Sequence, residues 1–350
     1  MKRWFGVALV LAISFAMTSA SAATDPTTDP VNVHLAAAQR AAGLDYPGLL
    51  ARVCIVPPGG GDAAAGRRRA GGVNGLIAPA AAAAARPENV PPRAQWYQEP
   101  RQIFDNFYWV GNNSRNSWVL KTSAGLIVID TLFHYSVEPE IVDGIKKLGM
   151  DPRQIKYVLI SHGHGDHDEG AKILQDLGAR IVMSAPDWDL MLKGTPLPGG
   201  NPKRDMVATD GQKLTLGDTT VTIYVTPGHT DGTISFIFSV KDHGMTRVIA
   251  YPGGTAYNFP RSVARFQAYI DTQKRFAKIA KDAGATVIVS NHSEFDEAYM
   301  KARMVSTMMA GEDNPFVIKD GVSRYQNVLI ECAEAEKARL MEGQDVPSKQ

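Results

Sequence analysis

Residues 161–167 read Ser161-His162-Gly163-His164-Gly165-Asp166-His167, directly after the apolar run Lys156-Tyr157-Val158-Leu159-Ile160. The run has the length and composition of a buried strand. A tight loop at a strand end can aim several side chains at one point, at a density that no helix face allows. Imidazole and carboxylate are donors that zinc takes near neutral pH. The chain holds eight histidines, and three of them sit in this one loop, so a scatter of polar loop residues accounts poorly for the pattern.

Two more histidines stand where further donors are expected. Thr226-Pro227-Gly228-His229-Thr230 follows the apolar run 221–226, and Ser290-Asn291-His292 follows the run 286–290. Each leaves a strand at its C-terminal end, as the first loop does. Working outward, 107–110, 117–121 and 126–130 predict short strands, and 137–148 has helical spacing. Segments 169–177 and 187–192 predict helices around a strand at 180–183. A turn-rich stretch, 194–211, separates this half from strands at 213–216, 221–226, 234–240 and 248–251. Helical patterns cover 260–283, 296–309 and 322–341. Two β-rich halves, each followed by helices, predict two sheets face to face with helices outside, a four-layer αββα sandwich in the α/β class.

The 350 residues, 44% hydrophobic and 21% charged, have the composition of a globular protein with a sizeable core. A formal charge of +1 gives no reason to expect a nucleic acid or an anionic membrane surface as partner. A small-molecule substrate is expected instead. Met1-Lys2-Arg3, the apolar stretch from Trp4 to Met17 and Ala20-Ser21-Ala22 form the pattern of a secretory signal over 1–22. Its cleavage would leave a periplasmic or secreted protein with no stable membrane insertion. Residues 23–95 are rich in Gly, Ala and Pro and are expected to form a mostly flexible extension, with one short helix from Val31 to Ala42 ended by Gly43. The compact domain would then run over 96–350. Cys54 and Cys332 are either one disulfide or two buried thiols.

The blocks H-G-H-G-D-H, T-P-G-H-T and N-H, in this order over about 105–295, resemble the metallo-β-lactamase superfamily. The resemblance implies the αββα sandwich and two zinc ions per chain. His162, His164 and His229 would hold the first, and Asp166, His167 and His292 the second. It implies a metal-bridging hydroxide that attacks a carbonyl, with Asp166 also orienting that nucleophile. Asp168 and Asp231, beside the motifs, are expected behind the ligands or facing solvent, and Glu169 would add negative charge near the site.

Many members carry a metal-bridging Asp at a strand end between the third and last histidine ligands. Here that place reads Tyr251-Pro252-Gly253-Gly254-Thr255, without Asp or Cys. The remaining pattern resembles the zinc β-lactamase subclass with His-His-His and Asp-His-His sites, which implies hydrolysis of a β-lactam amide. A lactonase or esterase of another acyl substrate is the alternative, and a non-catalytic metal-binding protein a further one. Thr255 is a candidate for the substrate carboxylate, with no Lys or Arg near it in sequence. Tyr257 and Asn258 are candidate oxyanion or substrate contacts.

Overall fold

The computed structural model describes residues 28–54, 90–309 and 311–343. The expected signal over 1–22 and residues 23–27 and 55–89 of the expected extension lie outside them. Seven strands form one sheet in chain order: β1 Arg101–Phe104, β2 Phe107–Trp109, β3 Trp118–Thr122, β4 Gly125–Ile129, β5 Ile155–Leu159, β6 Arg180–Ser184 and β7 Met206–Ala208. Five form the second: β8 Gln212–Leu216, β9 Thr219–Val225, β10 Ile234–Asp242, β11 Met245–Tyr251 and β12 Val287–Ile288, in the order β12-β11-β10-β9-β8.

The period-two alternation of each strand builds the layers. Ile127 and Ile129 of β4 face inward with Trp109, Trp118, Ile223, Phe236 and Tyr251, and this cluster fills the space between the sheets. Leu126 and Val128 point the other way, against Val137, Ile141, Ile145, Leu174 and Trp188. On the outer face of the second sheet, Ile237, Ala250 and Ile288 meet Phe266, Ile270 and Phe276 of the helix Val263–Asp282 and Val328 and Leu329 of the helix Gly321–Met341. This is the αββα sandwich. Each Leu, Ile or Phe fully buried in these clusters contributes about 1.5–3 kcal/mol of transfer free energy.

Four elements differ from expectation. β1 and β7 are short edge strands that carry too few alternating positions to stand out in sequence. The helix expected over 296–309 breaks at Glu297, whose φ of +58° separates Ser293–Asp296 from Ala298–Val305. The extension expected to be mostly flexible is packed over 28–54. Asp29 caps the helix Pro30–Ala42, which ends at Gly43 as its sequence indicates. Leu49 and Val53 of the helix Pro47–Val53, with Tyr46 and Ala38, then cover the helix Gly321–Met341. Arg324 of that helix donates to the carbonyls of Ala41 and Ala42 and so satisfies the C-terminal end of Pro30–Ala42. A disulfide between Cys54 and Cys332, with Cα atoms 4.8 Å apart, fastens the segment. The apolar residues of 31–53 were outweighed in composition by the Gly, Ala and Pro run that follows them.

Glu140 is a buried carboxyl in the outer layer. One oxygen accepts from the Gln98 amide at 3.3 Å and the other has no partner. Burial pushes its pKa from 4.5 up to about 9. The folded state therefore keeps a proton that the unfolded chain loses above its ordinary value. Stability from this proton is fully present below about pH 4.5 and is lost as pH rises through about 9. A Glu140→Gln variant should gain on the parent by about 1.4 kcal/mol per pH unit between these limits. Denaturant titrations at pH 6, 7 and 8 measure this, and a constant difference between the two proteins would contradict it. No helix among the described residues is long and apolar enough to cross a membrane.

Candidate metal centre

The C-terminal ends of β4, β5, β9, β11 and β12 meet on one edge of the sandwich. β5 ends at Leu159, and the chain turns through Ser161–His164 into a helical turn, Gly165–Asp168. The register of β10 with its neighbours, Ile234 opposite Val225 and Phe236 opposite Tyr251, sets the loop carrying His229 beside Gly253 and Gly254. β12 runs parallel to β11 and delivers His292 to the same edge.

Two donor sets result: His162, His164 and His229, and Asp166, His167 and His292. These are the two sets expected from sequence. In the first, His229 Nε2 lies 3.0 Å from His162 Nε2 and 3.1 Å from His164 Nδ1. The opposite nitrogens decide what these contacts are. His162 Nδ1 lies 2.8 Å from the Gly253 carbonyl and His229 Nδ1 2.6 Å from that of Ala256. A carbonyl only accepts, so both rings carry their proton on Nδ1. Their Nε2 lone pairs then face each other with no proton between them. Burial, with the neighbouring imidazoles, pushes both rings well below the usual imidazole range and keeps them neutral. Such converging lone pairs are repulsive unless a cation lies among them. Two nitrogens on a tetrahedral zinc stand about 3.3 Å apart, close to the spacing here. The residues fit a metal.

In the second set, His167 Nε2 and His292 Nε2 are 3.1 Å apart, and Asp166 Oδ2 is 3.5 Å from each. Burial alone would raise the Asp166 carboxyl, but His167 and Arg115 hold it well below the usual carboxylate range. Burial, reinforced by Arg115, lowers His292 to about 4.

Surrounding carboxylates brace both sets. Asp130, fully buried with φ +60°, accepts from the Ser161 amide at 2.7 Å, the Ser161 hydroxyl at 2.9 Å and the Tyr251 hydroxyl at 2.7 Å. Its Oδ2 also lies 3.2 Å from His167 Nδ1, at ion-pair distance but off the line of a good hydrogen bond. Asp187 Oδ2 accepts from the Gly163 amide and the Thr230 hydroxyl, tying the His162–His164 loop to the His229 loop. Glu294 lies 3.4 Å from His292 Nδ1. Asp130→Asn should weaken metal retention about 10- to 100-fold, read by competition with a chromophoric chelator. Unchanged retention would reduce Asp130 to a brace for the strand ends.

The residues beside the motifs sort differently. Asp168 is buried, whereas Asp231 is exposed and pairs with Arg265 at 2.9 Å. Glu169 accepts from the His134 amide, and burial raises its pKa to about 7, which lessens its negative charge at neutral pH. Two expected substrate contacts have their hydroxyls engaged within the fold. Thr255 is 1% exposed and its hydroxyl pairs with that of Tyr325 at 3.1 Å. The Tyr257 hydroxyl donates to the Leu329 carbonyl, and its ring packs against Phe266 and Tyr269. The helices 263–282 and 321–341 draw both inward. Asn258, in the same loop, is exposed. A cation that the sequence reading did not single out lies beside the second set: Arg115, in the β2–β3 connection, donates through Nε to Asp166 Oδ2 at 2.5 Å. No local motif marks Arg115, because its role depends on pairing across 51 positions.

Two adjacent His and His/Asp donor sets on the edge of an αββα sandwich form a candidate metal centre. The profile of the metallo-beta-lactamase superfamily matches residues 110–246. The structure resembles BJP-1, a subclass B3 metallo-beta-lactamase of Bradyrhizobium japonicum, with a TM-score of 0.59 and 30% identity over 71% of this chain and 97% of that one. The chain belongs to the metallo-β-lactamase superfamily. Among curated proteins it is 33% identical to a hydroxyacylglutathione hydrolase of Acidiphilium cryptum over 86 residues, 24% of this chain and 31% of that protein. It is 36% identical to the N-acyl homoserine lactonase AttM of Agrobacterium fabrum over 107 residues, 27% of this chain and 40% of that protein. The chain thus spans less than half the length of these two relatives.

Proposed function

We propose that this protein is an exported, zinc-dependent hydrolase that opens the amide of a β-lactam. The glycine pair after β11 carries the choice of substrate. A Cβ at Gly253 would lie 1.8 Å from the Ile234 carbonyl oxygen, and one at Gly254 would lie 2.4 Å from His229 Cβ. No carboxylate can stand at the strand end where other branches of the superfamily carry a bridging Asp. The donors that remain are those of the His-His-His and Asp-His-His subclass, in keeping with the likeness to BJP-1.

Zinc bound by these donors would polarise a carbonyl oxygen and bring a water close to ionisation at neutral pH. The chain's own groups prepare that chemistry. The Gly253 and Ala256 carbonyls fix the His162 and His229 tautomers and aim their lone pairs inward. Asp166 stays ionised and can accept a hydrogen bond from the attacking water, which orients it. Asn258 is the accessible candidate for substrate contact. Export is supported by the Cys54–Cys332 disulfide, a bond that persists in oxidising compartments, together with the leader-like first 22 residues. The likeness to a hydroxyacylglutathione hydrolase and to a lactonase supports a second reading, hydrolysis of a lactone or another acyl ester.

The test is hydrolysis of a carbapenem, a penicillin, an acyl lactone and a thioester by the chain lacking residues 1–22, with zinc added and after chelation. Chelator-sensitive opening of the β-lactams is expected. Turnover confined to the lactone or thioester would move the function to the second reading. Turnover indifferent to chelation would overturn both.

A further inference from the structure

Arg115 bears on the second donor set more directly than any other residue outside it. Its side chain is 6% exposed, and Nε donates to Asp166 Oδ2 at 2.5 Å. That oxygen is the one 3.5 Å from both His167 Nε2 and His292 Nε2. Its lone pairs are therefore shared between a guanidinium and whatever the two imidazoles hold.

The placement is built rather than incidental. Asn112 Oδ1 accepts from the amides of Ser114 and Arg115, which turns the β2–β3 connection sharply. The Asn116 amide donates to the Asn291 carbonyl, and the Ser293 amide donates to that of Ser114, so the connection is bound on both sides of His292. Asn116 adds side-chain bonds to Trp109, Ser290 and Ser293. This frame fixes the Arg115 backbone beside the second donor set.

The guanidinium touches the second set: Arg115 pairs with Asp166, whereas the rings of His162, His164 and His229 face one another and the carbonyls of Gly253 and Ala256. A permanent positive charge beside the only carboxylate among the six donors cancels the charge that would draw a second divalent cation. Asp130 and Glu294, behind His167 and His292, offset part of that repulsion, so the position is weakened rather than closed.

We propose that Arg115 grades the two positions, leaving His162, His164 and His229 to bind a divalent cation tightly and making Asp166, His167 and His292 a weak, exchangeable second position. The inference rests on the metal centre of the proposed function, and it is tested by metal binding without any turnover. The metal-free protein is titrated with Zn²⁺ in a calorimeter and with Co²⁺ followed by visible absorption. Bound metal is counted after dialysis. Two steps are expected in the parent protein, the second at least 100-fold weaker, with about one equivalent retained on dialysis. Arg115→Gln should tighten the second step at least tenfold and leave the first unchanged, whereas Arg115→Lys, which keeps the charge, should leave it weak. Asp166→Asn in the parent should remove only the weak step, which serves as the check if Arg115→Gln fails to fold. Two equal steps in the parent, an unchanged second step in a folded Arg115→Gln protein, or loss of the tight step in Asp166→Asn would each overturn the proposal. No metal uptake at all would overturn the metal centre itself, and the proposal with it.

Discussion

Replacing His164 with Ala should lower hydrolysis at least about a thousandfold, because losing several kcal/mol of charge stabilisation at the reacting carbonyl multiplies into rate. His164 is half-buried at the loop surface, unlike His162 and His167, and it bears no network among strands. The variant should therefore keep its far-ultraviolet circular dichroism and its cooperative unfolding. The first metal should be lost to dialysis in the same protein, since two imidazoles remain where three converged within 3.0–3.1 Å. Full hydrolysis by the His164→Ala protein would remove the first donor set from the mechanism. Lost hydrolysis with the tight metal retained would place the role of His164 on the substrate instead.

The second large effect is on stability. A Cys54→Ser, Cys332→Ser protein should be less stable by about 2 to 5 kcal/mol, because the bridge restricts an unfolded chain over a long loop. The separation of the two cysteines is 278 residues. The loss should appear as a lower thermal midpoint and, first, as protease cleavage near the helices 30–42 and 47–53. Those helices cover Tyr325, Val328 and Leu329, so their release exposes apolar surface on the helix 321–341. Because that helix packs on the outer face of the second sheet, the metal edge should keep its geometry, and metal retention should change far less than stability. Equal thermal midpoints with and without the bridge would show that packing alone holds the segment.

The candidate metal donors were legible because their chemistry is local. His162, His164, Asp166 and His167 lie in one loop, and His229 and His292 each follow an apolar run directly, so residue type and position carry the signal together. The strands and helices were legible in their periodicity, whereas the αββα layering came from the family resemblance of the histidine motifs. In the structure, alternating positions such as Ile127 and Val128 place a strand's side chains on two buried faces, one covered by the other sheet and one by helices. The contacts that Thr255 and Tyr257 make were not legible. Their hydroxyls found Tyr325 and Leu329, which stand 70 or more residues later.

The amino-acid sequence by itself determined the six candidate donors and the strands that carry them, since each is encoded by the order of neighbouring residues, and its motifs pointed by resemblance to the two-sheet architecture. Tertiary structure alone decided that residues 28–54 pack on the last helix, that Cys54 meets Cys332, that Asp130 and Asp187 brace the ligand loops and that Arg115 holds Asp166. These pairings have no local pattern to read, because a charge or a thiol acts on whatever the folded chain brings within a few ångströms of it, regardless of distance along the sequence.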